Sequence, residues 1–322
     1  MLLRRTVLAA LVLAAAGLLA TRTAHVDDRL PAVVASPVPL LADDPKRTRV
    51  GRLELLAGFA LSSPHPDFGG LSALLIEPGG ELVAVSDRDT FWRARLVDDP
   101  SGRLTELADW RTGALGSTGP ETGGLFDGED LARLDGALAV VAETRGVLHL
   151  YPHGDLAAPA RVADLPAPVR NEGPGGIETL TELGDGRLMM IAEELLDPDG
   201  VNYAWLRGPA GDYEELGYRA APGFSPTGAD RLGDTLYVLE RAFGLPFGFA
   251  ARIVRLPVDA VVPGARLEGE ELARLDSPLT RDNFEGIAAR PGPDGRVQLF
   301  ILSDDNFLPL QRTLLMQFAI DD

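Results

Sequence analysis

Ten positions, arranged as five pairs, hold the residues of this chain best suited to chemistry. The first members are Ser72, Glu129, Glu178, Asp230 and Glu285, each followed two residues later by Leu or Ile. The second members are Asp87, Glu143, Glu193, Glu240 and Asp304, each preceded by Val, Ile or Leu and one spacer. Nine of the ten are acids. If they meet they repel one another, and a cation, arginines or protonation must relieve them. Oxygen donors without Cys or a His cluster select Ca²⁺, or Mg²⁺, over zinc or copper. The expected metal ligands are Glu178, Asp230, Glu285, Glu193 and Glu240, with Asp305 and Asn306 beside them. Glu129 or Asp304 is the expected general base. Arg88, Arg145, Arg231, Arg241 and Arg281 stand near these acids as counter-ions, and Arg241 is the expected clamp for an anionic group. For any single acid the competing expectation is a brace that bonds the backbone of a neighbouring element.

Between the members of each pair lies a turn glycine: Gly80, Gly136, Gly186, Gly233 and Gly295. Each unit therefore reads as a hairpin whose open end carries both acids. First members recur at intervals of 57, 49, 52 and 55 residues. A β pattern with a period near 50 predicts an all-β fold, a β-propeller of four-stranded blades. Further strands are expected at 90–97, 103–110, 146–151, 160–165, 201–207, 212–219, 251–258 and 268–275. The last unit has only 312–319, and 50–57 is expected to complete it by pairing the two ends of the chain. That gives five blades. The alternative of six needs a degenerate blade near 111–128. In such a ring the ten positions share one mouth of the central channel.

The 322 residues carry a net charge of −18 and a single lysine, Lys46. This balance opposes nucleic acid and anionic membrane surfaces. There is no cysteine, which excludes disulfides and thiolate chemistry. Arg4-Arg5 followed by the apolar run Thr6 to Ala20 fits a secretory signal within 1–24, or an uncleaved anchor that would be the chain's only membrane contact. The expected location is secreted or periplasmic. Residues 25–49, rich in Pro, Asp and Ala, read as a linker, leaving 50–322 for the propeller. Gly-x-Ser-x-Gly, Walker and Gly-x-Gly-x-x-Gly elements are absent. His149 is expected at an ordinary strand position, and Phe243, Phe247 and Phe249 in a loop over the channel.

Several of these residues carry a family resemblance. They are Gly69-Gly70-Leu71-Ser72 with Val85-Ser86-Asp87-Arg88, Gly175-Gly176-Ile177-Glu178 with Ile191-Ala192-Glu193-Glu194, and Tyr237-Val238-Leu239-Glu240-Arg241. Asp282-Asn283-Phe284-Glu285-Gly286 and Ser303-Asp304-Asp305-Asn306-Phe307 complete the set. Over roughly 50–320 the chain resembles the secreted phytase-like family, described by esterase-like activity. The resemblance implies an extracytoplasmic propeller and an ester or phosphoester hydrolase, and the calcium expected from the oxygen donors would assist it. The alternative is a non-catalytic propeller that binds a ligand or protein and uses metal structurally.

Overall fold

A computed structural model describes residues 32–116, 127–142, 146–166, 169, 176–246 and 248–321. Glu143, Arg145, Phe247 and the signal segment 1–24 lie outside them, as does most of the stretch considered for a sixth blade.

Alternating and near-continuous apolar runs make the strands, and chain order makes the blades. The first strands are β1 (Val34–Pro37), β2 (Arg49–Val50) and β3 (Leu53–Ser62). Blade one follows with β4 (Leu71–Ile76), β5 (Glu81–Ser86), β6 (Thr90–Asp98) and β7 (Leu104–Ala114). Blade two holds β8 (Gly128–Leu134), β9 (Ala137–Ala142), β10 (Val147–Pro152) and β11 (Arg161–Asp164). Blade three holds β12 (Ile177–Glu182), β13 (Leu188–Leu196), β14 (Asn202–Arg207) and β15 (Tyr213–Tyr218). Blade four has β16 (Ser225–Leu232), β17 (Thr235–Gly244) and β18 (Gly248–Pro257), then β20 (Glu270–Leu275). Between them β19 (Arg266–Leu267) pairs in parallel with β15. The chain ends on β21 (Asn283–Pro291), β22 (Val297–Asp304) and β23 (Thr313–Ile320).

β3 pairs antiparallel with β23, from Leu53 opposite Ile320 to Leu61 opposite Thr313. The first long strand thus completes the last blade, as the sequence predicts, and five sheets result. One expectation is corrected. Val34–Pro37, inside the stretch taken for a linker, forms β1 on the outer side of β3. A four-residue edge strand with mostly exposed side chains has too little apolar alternation to be recognised in sequence.

Strand alternation explains the core. The buried apolar residues fall into five clusters, one at each junction between neighbouring blades. In β5, Leu82 and Ala84 face the closing blade, whereas Val83 and Val85 face blade two. Strands buried on both faces read as unbroken apolar runs. The inner strands β4, β8, β12, β16 and β21 touch in a closed cycle around the axis. They crowd there: a Cβ on Gly228 would lie 2.4 Å from the Glu285 carbonyl oxygen, and one on Gly286 2.6 Å from the Leu74 Cβ. Only glycine permits that approach.

Candidate functional site

Every inner strand carries the same irregularity near its start. The pairing register shifts between Leu71 and Ala73, Gly128 and Asp130, Ile177 and Thr179, Pro226 and Gly228, and Phe284 and Gly286. One unpaired residue bulges out of each inner strand, and a bulge re-aims that residue's side chain. The bulged residues are Ser72, Glu129, Glu178, Thr227 and Glu285. The residues at the same level on or just beyond the neighbouring strands are Asp87, Glu193, Arg241 and Asp304 in the four blades described there.

Blade four therefore differs from expectation at both positions: Thr227 replaces Asp230, and Arg241 replaces Glu240. The turn explains the slip. Blade two turns on Asp135-Gly136 between Leu134 and Ala137, and blade four on Gly233-Asp234 between Leu232 and Thr235. Counting from the glycine displaces the second position of blade four by one residue, from Arg241 to Glu240, and one residue turns a side chain to the other face; Asp230 lies three residues beyond Thr227 and fitted the pattern by its acid alone. Glu240 accordingly points into the core. It is buried, accepts a hydrogen bond from the Tyr218 hydroxyl (2.6 Å) and pairs with Arg252 (2.8 Å). Asp230 lies farther down β16, where its carboxylate accepts the N–H groups of Ala289 and Arg231, both at 2.8 Å. Buried Asp130 does the same in blade two, accepting the N–H of Leu180 at 2.7 Å. These two aspartates brace inner strands across blade junctions. Asp230→Ala should cost about 1–3 kcal/mol by orphaning the Ala289 N–H, a fall of a few degrees in Tm, and leave any mouth activity intact. Loss of activity in a stably folded Asp230→Ala protein would restore Asp230 to the site.

At the mouth Arg241 is enclosed by acceptors. It donates to Asn283 Oδ1 (2.5 Å) and Glu193 Oε1 (2.6 Å), and lies 3.2 Å from Glu285 Oε1 and 4.0 Å from Glu178 Oε2. Asn283, buried, also donates to Glu285 Oε1 (2.8 Å) and reaches toward Asp304 Oδ2 (3.4 Å). It thereby links the arginine to two acids. Burial, then the charge of Glu193 and a hydrogen bond with it, pushes the Glu178 carboxyl well up, while Arg241 pulls it down. Burial raises Glu285 too, against the pull of Arg241.

The opposite wall is formed by Asp87, Asp304 and Glu129. Ser72 Oγ donates to Asp87 Oδ1 at 2.9 Å. Burial and the neighbouring Glu285 raise Asp87 to about 7. Burial with the charges of Glu285 and Asp87 holds Asp304 well above the carboxylate range, although it accepts the Asn306 N–H at 2.7 Å. Glu129 is raised likewise by burial, Glu178, Asp127 and Glu285. Asp305 lies beside this group, and its charge helps to raise Asp87 and Asp304. It accepts the N–H groups of Gly70 (2.9 Å) and Phe307 (3.0 Å) and the Thr313 hydroxyl (3.1 Å), tying the last blade to the first. Arg88 stacks 3.3 Å above the Phe307 ring on the same rim. The side-chain amide of exposed Asn306 donates to Gln311 Oε1, and only its backbone N–H reaches the acids.

The structure thus gathers Glu129, Glu178, Glu193, Glu285, Asp304 and Arg241, together with Asp87. It does not gather Asp230, Glu240 or Asn306. Sequence reasoning passed over Ser72, Thr227 and Asn283 as chemical groups, and Asn283 was detectable only as the polar residue two before Glu285. Glu178, Glu193 and Glu285 turn toward Arg241. Among the described residues no three His, Asp or Glu side chains are set to hold a metal ion. Glu178, Glu193 and Glu285, among the expected calcium or magnesium ligands, are engaged with Arg241 in this arrangement, and the chemistry is derived from the protein's own groups.

The sequence matches a family described as Phytase-like: Esterase-like activity of phytase, over residues 66–307. No curated protein matches it. Among solved structures, the glutaminyl cyclase of Myxococcus xanthus is 14% identical with a TM-score of 0.45, over 84% of this chain and 97% of that one. The PQQ-bound aldose sugar dehydrogenase of Streptomyces coelicolor is 14% identical with a TM-score of 0.43, over 84% and 99%.

Proposed function

The chain belongs to the phytase-like family, and from that premise we propose that it hydrolyses ester substrates at the carboxylate-lined mouth. One observation carries the proposal: Asp87, Asp304 and Glu129 crowd one wall of the mouth, and burial with neighbouring charges raises the proton affinity of all three, Asp87 to about 7. Carboxyls raised in this way serve as base and acid near neutral pH. Asp87 takes a proton from water as the water attacks the ester carbonyl. Protonated Asp304, or Glu129, gives one to the departing alcohol. Arg241 spends its donors on Asn283, Glu193 and Glu285, so it acts as a scaffold for the acids rather than as the expected anion clamp.

Charge also orders the substrates. Six described carboxyl groups gathered with Arg241 at the mouth favour a neutral ester, and a phosphoester needs an added cation to approach. A panel of aryl esters, lactones and phosphate monoesters, each with Ca²⁺ or EDTA, tests this. Turnover of neutral esters in EDTA is expected, lowered about 100-fold in Asp304→Asn. Absence of turnover on the whole panel, with or without Ca²⁺, would leave the non-catalytic binding propeller as the better reading.

A further inference from the structure

Eight large hydrophobic side chains stand exposed among the described residues, and six lie at the mouth end of the propeller. Strand direction places them. β13 runs past Glu193 to Leu196, and β17 runs past Arg241 to Phe243 and the turn holding Leu245. β22 leads through Asp304 into the loop with Leu308 and Leu310. Val34 pairs with Ser62, the last residue of β3 before the chain reaches Gly69 and Gly70 at the mouth. Of the other two, Val162 is on the outer edge of blade two and Val262 follows β18 at the far end. Leu245 is 87% exposed and Leu310 96%. Scattered exposed apolar residues are ordinary, but their collection at one end marks a contact surface.

Two further observations select what it contacts. β1 begins at this end, so the chain before it, with its apolar run Thr6 to Ala20, arrives on the mouth side. The net charge of −18 and the acids of the mouth repel an anionic surface, whereas leucine tips gain from any apolar depth offered without negative charge. We propose that the mouth end docks on a lipid interface of zwitterionic or neutral headgroups, with Leu245 and Leu310 entering it.

The chain has no cysteine, so single labels are simple to place. Full-length L245C, L310C and V262C proteins, each carrying a polarity-sensitive fluorophore, would be mixed with phosphatidylcholine vesicles or with vesicles enriched in phosphatidylglycerol. The labels at 245 and 310 should shift to the blue and brighten severalfold on phosphatidylcholine, less on the anionic vesicles, while the label at 262 stays unchanged. Silence at all three positions overturns the proposal. So does an equal response at all three, which would mean that the apolar run alone tethers the protein. A concentration-dependent shift at 245 and 310 without lipid would instead assign the surface to a second copy of this chain. The readout needs no hydrolysis, so its failure is separable from that of the esterase proposal.

Discussion

Arg241→Leu should destabilise the folded protein by about 3–5 kcal/mol at pH 8, a fall in Tm on the order of 10 °C. The reason is a group of acids rather than a single ion pair. Glu193, Glu285 and Glu178 lie within 4.0 Å of its guanidinium, and Asn283 is oriented by it. Removing the cation leaves these carboxyls facing one another on a wall where burial already raises Glu178 and Glu285. The sign with pH follows. Without Arg241, Glu178 and Glu285 bind protons more tightly still in the folded state than in the unfolded chain. Stability therefore falls as pH rises through their folded pKa values, and the deficit should shrink between pH 8 and pH 5. Thermal unfolding of both proteins at the two pH values is the check. An Arg241→Leu protein as stable as wild type at pH 8 would show that the acids do not depend on the arginine.

Arg241 also shows how far the sequence could be read. The repeat of hairpins gave the propeller, because alternation and turn glycines are local properties that survive without knowledge of contacts. The closing pair of β3 and β23 followed from the count of strands. Register was not legible. A bulge shifts pairing by one residue without any composition of its own, so nothing in the sequence marks Thr227 rather than Asp230 as the fourth residue of the ring. The order of Gly233 and Asp234 in the turn then hid Arg241 behind Glu240. Searching for acids picked out Glu129, Glu178, Glu193, Glu285 and Asp304, which the fold brings to the mouth, and by the same rule accepted Asp230 and Glu240, which it does not. Their hydrogen-bond partners are 59 and 22 residues away along the chain, and only the fold brings them together.

Asp87→Asn should abolish most hydrolysis and yet make the protein more stable at pH 8. Both effects come from the raised proton affinity of Asp87, about 7, which burial and Glu285 impose while Ser72 opposes them. As the base it must be ionised, so kcat/KM for a neutral ester should rise with pH to an apparent midpoint near 7. That midpoint belongs to the set of Asp87, Asp304 and Glu285 together. Replacing it with Asn should lower kcat/KM about 10²–10⁴-fold. The stability effect has the opposite sign. Between the ordinary value of 3.8 and about 7 the folded protein holds this proton and the unfolded chain does not. The group's contribution to stability is fully present below pH 3.8 and is lost as pH rises through 7. An amide never ionises, so the Asn protein should lose less stability than wild type between pH 5 and pH 8. Strain retained at an active site commonly trades stability for activity in this way. Activity and unfolding measured on the same Asp87→Asn preparation separate the cases. An inactive protein with the wild-type stability slope would mean that Asp87 is ionised for some reason other than its surroundings. Full activity would move the base to another carboxylate of the ring.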